Sequence, residues 1–309
     1  MRIAIMGSGG VGGYYGGLLA RAGHDVTFLA RGAHMEALRA GGLKVHSVHG
    51  DFSLSPVRAT DDPKGVGSAD LVLVCVKTGD TNQAARSIKP IVGPDTTVMS
   101  LQNGIDAADR IAAVLGRQHV MAGVTWISSA IAAPGVIRQV SQFRRIVLGE
   151  MDGRTTPRLQ AIFEALKGTG VTVEISDDIL KVLWTKFVFI AAISGVGTLT
   201  RLEVGDYRAV PETRALLATM MHEVEGVARA GGVMLDADIV EQTLAFTDNL
   251  APSIKPSMQL DVGAGRPSEL DSMIGVIARK GRDRGVSTPV ADMVYAALLP
   301  GERKARQDP

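Results

Sequence analysis

Residues 2–13 read RIAIMGSGGVGG. A short apolar run, IAIM, is followed at once by Gly7, Gly9 and Gly12 in the spacing G-x-G-x-x-G, and then by a segment of helical period over 11–22. The chain carries 36 glycines, so a glycine cluster by itself says little. Its place between a predicted strand and a predicted helix gives it meaning, because that is the setting of the dinucleotide-binding fingerprint. In that setting Gly7 permits a tight turn, Gly9 lets the backbone approach a pyrophosphate, and Gly12 allows close packing of helix on strand. The amides at the helix N-terminus then meet the phosphate charge. The rival reading is a strand-to-helix turn whose glycines serve packing alone.

The second predicted strand refines the reading. About twenty residues beyond the glycines, a site for NAD places Asp or Glu on the ribose hydroxyls. Here that strand ends DVTFLAR, with Arg31 at its tip. An arginine there suits a 2′-phosphate, which favours NADPH; a solvated arginine at a strand end is the alternative.

Composition narrows the rest. The 33 Lys and Arg nearly balance the 32 Asp and Glu, so net charge gives no general attraction to nucleic acid or to an anionic membrane. The first residues run directly into a predicted strand without the parts of a signal peptide, and the uncharged stretch 120–137 is interrupted by Thr, Ser, Pro and Gly. A soluble cytoplasmic protein with a small-molecule partner is expected. The single cysteine, Cys75, lies in LVLVCV and reads as filler of a buried strand. The six histidines give no ligand spacing, and no metal site is expected.

Along the chain, strands are predicted over 2–6, 25–30, 71–76 and 96–101, with helices over 11–22 and 81–88, the alternation of βαβ units on a parallel sheet. From residue 120 the pattern turns strand-rich, through MAGVTWISSAIAAPGVIRQV and RRIVLGE, and closes with VTVEIS at 171–176. Beyond 177 nearly everything has helical period. The expected class is α/β, with an N-terminal Rossmann domain over 1–176 and an all-helical domain over 177–309. The last stretch, GERKARQDP at 301–309, reads as a polar mobile tail.

The helical half opens with DDILKVLWTKFVFIAAISG. At helical spacing Val182, Leu183, Phe189, Ile190 and Ile193 form one apolar face, and Lys186 falls in its middle. Burying a charge there is costly. Either the side chain snorkels to the surface with its stem packed, or the ammonium lines a cleft, where desolvation makes it a readier proton donor near neutral pH. Spacing alone leaves both open.

Taken in order, MGSGGVGG, LVCVKTGD, LQNGID, LWTKF, PSMQLDV and PSELDSMIG resemble the motifs of the ketopantoate reductases (2-dehydropantoate 2-reductases) over nearly the whole chain. The resemblance implies a Rossmann domain and a helical domain with the site in the cleft between them. It implies that Gly7, Ser8, Gly9, Gly10, Val11 and Gly12 bind the NADPH pyrophosphate, and that Arg31 and Lys77 face its adenosine phosphate. Asn103 helps to place nicotinamide and substrate. Lys186 matches the family's catalytic lysine, Ser257 a serine that contacts substrate, and Glu269 an acid that contacts the cofactor and supports the lysine. Each also has a plainer reading: a surface lysine at 77, a turn at 103–104, a helix start at 257, and a solvated acid after Pro267.

One departure bears on substrate. The family has asparagines four and eight residues after the lysine, which bind the substrate; here those positions are Ile190 and Ser194. The resemblance thus implies NADPH-dependent reduction of a 2-oxo acid, with ketopantoate first, giving pantoate for pantothenate and coenzyme A synthesis. A paralogue acting on a more apolar oxo acid and an NADPH-binding regulatory protein without turnover are the alternatives. The apolar helical segments are candidates for a homodimer face, which the sequence does not distinguish from core.

Overall fold

The computed structural model describes residues 1–307, and the last two residues of the expected tail lie outside the described part. The chain divides into two compact units. One comprises Met1–Gln102 with Asp106–Ile179; the other joins Asn103–Ile105 to the residues from Leu180 onward.

The first unit runs β1 (Arg2–Met6), α1 (Gly10–Arg21), β2 (Asp25–Leu29), α2 (Gly32–Gly41), β3 (Leu43–Ser47), β4 (Phe52–Leu54), β5 (Arg58–Thr60), β6 (Ala69–Val74), α3 (Thr81–Ser87), β7 (Val92–Ser100), α4 (Ala107–Leu115), β8 (Val120–Trp126), β9 (Ser129–Ala133), β10 (Val136–Gln139), β11 (Arg145–Gly149), α5 (Pro157–Lys167) and β12 (Thr172–Ile175). Eight strands form one sheet in the order β12-β11-β8-β7-β6-β1-β2-β5. Every neighbouring pair is parallel except β11 with β8. Strands covered on both faces need apolar residues throughout, and IAIM and LVLV supply them. Ile5, Val72 and Leu73 are fully buried. Tyr14, Leu18 and Ile162, from α1 and α5, join one apolar cluster; Ala84, Ala85 and Ile111, from α3 and α4, join another on the opposite face.

Strand order reverses at β1, which pairs with β2 on one side and β6 on the other. The carboxyl ends of strands at such a reversal leave a crevice suited to a ligand. A second sheet, β4-β3-β10-β9, lies outside the expected pattern of βαβ units. It joins the hairpin of β3 and β4 to β10, which is distant in sequence.

The second unit contains α6 (Ile179–Thr200) from Leu180 on, α7 (Val204–Ala209), α8 (Pro211–Ala230), α9 (Ile239–Asp248), α10 (Ser257–Gly263), α11 (Val276–Arg284) and α12 (Pro289–Gln307). α6 is, among the described residues, the one helix long and apolar enough to cross a membrane, with mean hydropathy 1.8; 56% of that window is buried within the protein. It is apolar all round, as a central helix is. α8 approaches it closely, since a Cβ on Gly195 would sit 2.8 Å from the Met220 sulfur.

Two expectations change here. The deepest face of the first half of α6 is formed by Trp184, Phe187, Val188 and Ala191, on the side away from Lys186; Val182, Leu183, Phe189 and Ile190 are only half-buried. A helix apolar on all sides gives periodicity no contrast to report. The expected mobile tail is helical through Gln307, as the last turns of α12. Glu302 within it is buried.

Candidate active site and cofactor loop

In the first unit, the glycine run leaves β1 and enters α1 through three different constraints. Gly7 has φ +97°, a left-handed value, and a Cβ there would lie 2.7 Å from the Val76 side chain and amide. A Cβ on Gly12 would lie 2.1 Å from the Gly7 carbonyl oxygen, so the helix seats directly on the loop. Gly9 is different. It caps α1 with an ordinary φ of −72°, and a Cβ there would meet nothing within 4 Å. Nothing in the protein requires a glycine at that place, whereas a ligand lying against the bare backbone would.

The cavity there is lined by Gly7, Ser8 and Gly9, by Ala30 and Arg31 after β2, by His34 of α2, and by Val76 and Asp80 after β6. α1 has neither a side-chain cap nor an acid in its first turn, so its leading amides are available to an anion. Gly10 and Val11 lie in that turn, and a Cβ on Gly10 would collide with the Ser129 carbonyl at 2.3 Å. The loop therefore fits a dinucleotide, with the pyrophosphate against Gly9 and the first turn of α1. Arg31 caps α2 at the cavity edge. Lys77 is exposed beside the lining residue Val76, outside the lining itself.

Sequence reading missed His34. Its Nδ1 accepts the Gly135 amide at 3.2 Å, which leaves Nε2 to donate to the Ser8 carbonyl at 2.8 Å. Burial holds its pKa below the usual value. The imidazole thus braces the loop in its neutral form. The visible signal was its position three residues after Arg31 in a first helical turn, which is too common to single out.

In the second unit, the Lys186 Nζ donates to Asn103 Oδ1 at 2.8 Å. Gly104, with φ +96°, lets the chain turn immediately after Asn103. Burial brings the lysine pKa down to about 8, and the Glu269 carboxylate acts in the opposite direction. Lys186 is half-buried, and burial outweighs Glu269 in setting its pKa, so the ammonium gives up its proton more readily than an exposed lysine. Glu269 is itself buried. Ile190 and Ser194 follow Lys186 one and two turns along α6, the first half-buried and the second fully buried. Ser257 is exposed at the first residue of α10, after Pro256. Among the described residues, no group of three or more His, Cys, Asp or Glu side chains is arranged to hold a metal ion.

Residues 3–153 match the family Ketopantoate reductase PanE/ApbA, and residues 178–302 match its C-terminal part. The chain belongs to the ketopantoate reductase family. It is 32% identical over 298 residues to the uncharacterized oxidoreductase YkpB of Bacillus subtilis, covering 96% of this chain and 98% of that one. It is 30% identical to the 2-dehydropantoate 2-reductase of Nostoc sp., over 99% of this chain and 97% of the relative. The crystal structure of a PanE/ApbA family ketopantoate reductase from Ralstonia eutropha superposes with a TM-score of 0.91 at 34% identity, covering 99% of this chain and all of that one. As a ketopantoate reductase family member, the chain is an NADP-dependent oxidoreductase acting on a CH–OH group.

Proposed function

We propose that this chain reduces 2-dehydropantoate to pantoate, a cytoplasmic step toward pantothenate and coenzyme A, with Lys186 as the proton donor. The observation that carries this reading is the desolvated Lys186 ammonium, hydrogen-bonded to Asn103 and acted on by Glu269, in a chain of this family. NADPH, when bound, supplies the hydride that reduces the ketone carbon. Gly7, Gly9 and the first turn of α1 hold its pyrophosphate, and Arg31, with Lys77, holds its adenosine phosphate.

The chain's own residues do the rest. As the carbonyl carbon is reduced, its oxygen takes up negative charge and the proton on Lys186 Nζ. The resulting amine is neutral, which suits a site where burial opposes the charged form. Asn103 accepts one N–H of the ammonium and so limits its rotation. Glu269 keeps the lysine protonated at neutral pH. Ser194 and Ser257 hold the substrate's polar groups.

A second reading rests on Ile190. Its side chain offers no hydrogen bond where family members place an asparagine, and an apolar wall there favours a more apolar oxo acid. A site lacking a polar partner discriminates less for substrates that need one. Both readings are tested by NADPH oxidation across a panel of 2-oxo acids, with Lys186→Ala alongside. Highest kcat/KM for 2-dehydropantoate, lost in the variant, supports the first; preference for an alkyl 2-oxo acid supports the second.

A further inference from the structure

Among the polar ties of α12 to the helical unit, two are made by buried carboxylates. Near its start, Glu223 of α8 accepts the amides of Val290 and Ala291 at 2.7 and 2.8 Å. Near its end, the buried Glu302 meets Ser268, the residue before Glu269. Glu302 accepts the Ser268 amide at 3.1 and 3.0 Å, one distance to each oxygen, and the Ser268 hydroxyl at 2.6 Å. Arg306, one turn further, pairs with Glu302 at 2.7 Å and donates to the Ser268 carbonyl at 2.9 Å. The Ser268 hydroxyl also accepts the Leu270 amide at 3.2 Å. All three polar groups of Ser268 are therefore held, and two residues of α12 do most of the holding.

Pinning a terminal helix does not require this arrangement. A well-packed apolar contact anchors a helix at least as well as a buried ion pair, whose desolvation cost is large. What charge-assisted hydrogen bonds add is direction. They fix the backbone where it passes through Glu269 into the helix beginning at Leu270. That helix opens with a five-residue π-helical stretch, Asp271–Gly275, a distortion frequent at functional sites.

We propose that Glu302 and Arg306 are positioning residues for Glu269, holding the backbone around it so that its carboxylate faces Lys186. This rests on the reading of Lys186 as proton donor. Glu269 is the charged group that acts on Lys186, and Asn103 is its neutral partner. Around Ser268 the charges are those of Glu302 and Arg306. If the clamp loosens, Glu269 withdraws and Lys186 loses the charge that raises its pKa.

The test uses the full-length protein with Glu302→Gln and Arg306→Met, and Lys304→Ala, exposed on the same helix, as control. The first readout needs no substrate: the pH midpoint at which Lys186 is acetylated by acetic anhydride, followed by peptide mass spectrometry. The midpoint falls in Glu302→Gln and, by a smaller amount, in Arg306→Met, and stays in place in the control. The second is NADPH-dependent reduction, where kcat falls by about tenfold to about a hundredfold while NADPH affinity is retained. An unmoved midpoint in folded variants overturns the proposal. Should Glu302→Gln fail to fold, the midpoint in Arg306→Met decides. A wild type that reduces no oxo acid, with the midpoint still shifting in the variants, removes the proposed reaction and leaves the positioning role standing.

Discussion

The Lys186 ammonium rests on Asn103 Oδ1 at 2.8 Å, an acceptor without charge. An amide oxygen orients the lysine and hardly repays its desolvation, so burial sets the balance and the pKa comes down to about 8. The rate of reduction should therefore fall as pH rises through about 8 and the donor is lost. Asn103→Asp adds a carboxylate beside the ammonium and should move that alkaline limb upward. Lys186→Ala should lower kcat by a factor of roughly 10² to 10⁴, the usual worth of a placed acid, with NADPH affinity retained. Rate–pH profiles of the three proteins check all of this.

Stability follows from the same shift. The folded-state pKa of Lys186 lies below the unfolded value of 10.5, so between about 8 and 10.5 the unfolded chain binds more protons. This lysine's contribution to stability accordingly grows as pH rises through that window and is least at neutral pH. Lys186→Met should abolish that rise, seen as a smaller difference in unfolding free energy between neutral and alkaline pH.

Gly9 and Gly12 should separate ligand binding from folding. Gly9→Ala projects into open space, so its melting temperature should match the wild type while NADPH binding weakens by about tenfold. Gly12→Ala drives a methyl against the Gly7 carbonyl and should cost about 1–3 kcal/mol of stability. Thermal denaturation and NADPH titration, run side by side, distinguish the two.

Arg31 should matter to one cofactor and not the other. A charge-assisted hydrogen bond to a 2′-phosphate is worth about 1.5–3 kcal/mol. Arg31→Ala should thus weaken NADPH by about tenfold to about a hundredfold and leave NADH nearly unchanged. Equal losses for both would remove the 2′-phosphate assignment.

Restoring the missing amides tests the substrate. Ile190→Asn and Ser194→Asn, singly and together, should raise kcat/KM for 2-dehydropantoate by about threefold to about tenfold for each hydrogen bond recovered. If they lower it while the wild type prefers an alkyl 2-oxo acid, Ile190 is an apolar wall selected by the substrate.

How legible these features were depended on how local their causes are. The turn at Gly7, the α1 entry and the IAIM and LVLV strands arise from neighbours in sequence, and they read directly. The second sheet did not: β4 is three residues long, and β3 finds its parallel partner only at β10. Lys186 stood out because a charge interrupts an apolar helix, but which face of α6 is deepest depends on helices distant in sequence, such as α11, whose Arg284 lies over Trp184. GERKARQ reads as a solvated tail by composition, yet Glu302 and Arg306 find Ser268, 34 and 38 residues away in the chain.

β12 bears on any attempt to isolate the nucleotide-binding half. It closes one end of the eight-stranded sheet by pairing, in parallel, with β11. A fragment ending at residue 153, where the N-terminal family match stops, would lack both β12 and α5. β11, with Ile146, Val147 and Leu148, would become a bare hydrophobic edge presenting unpaired amides and carbonyls. Such a fragment should aggregate, and one extended through Ser176 should stay in solution.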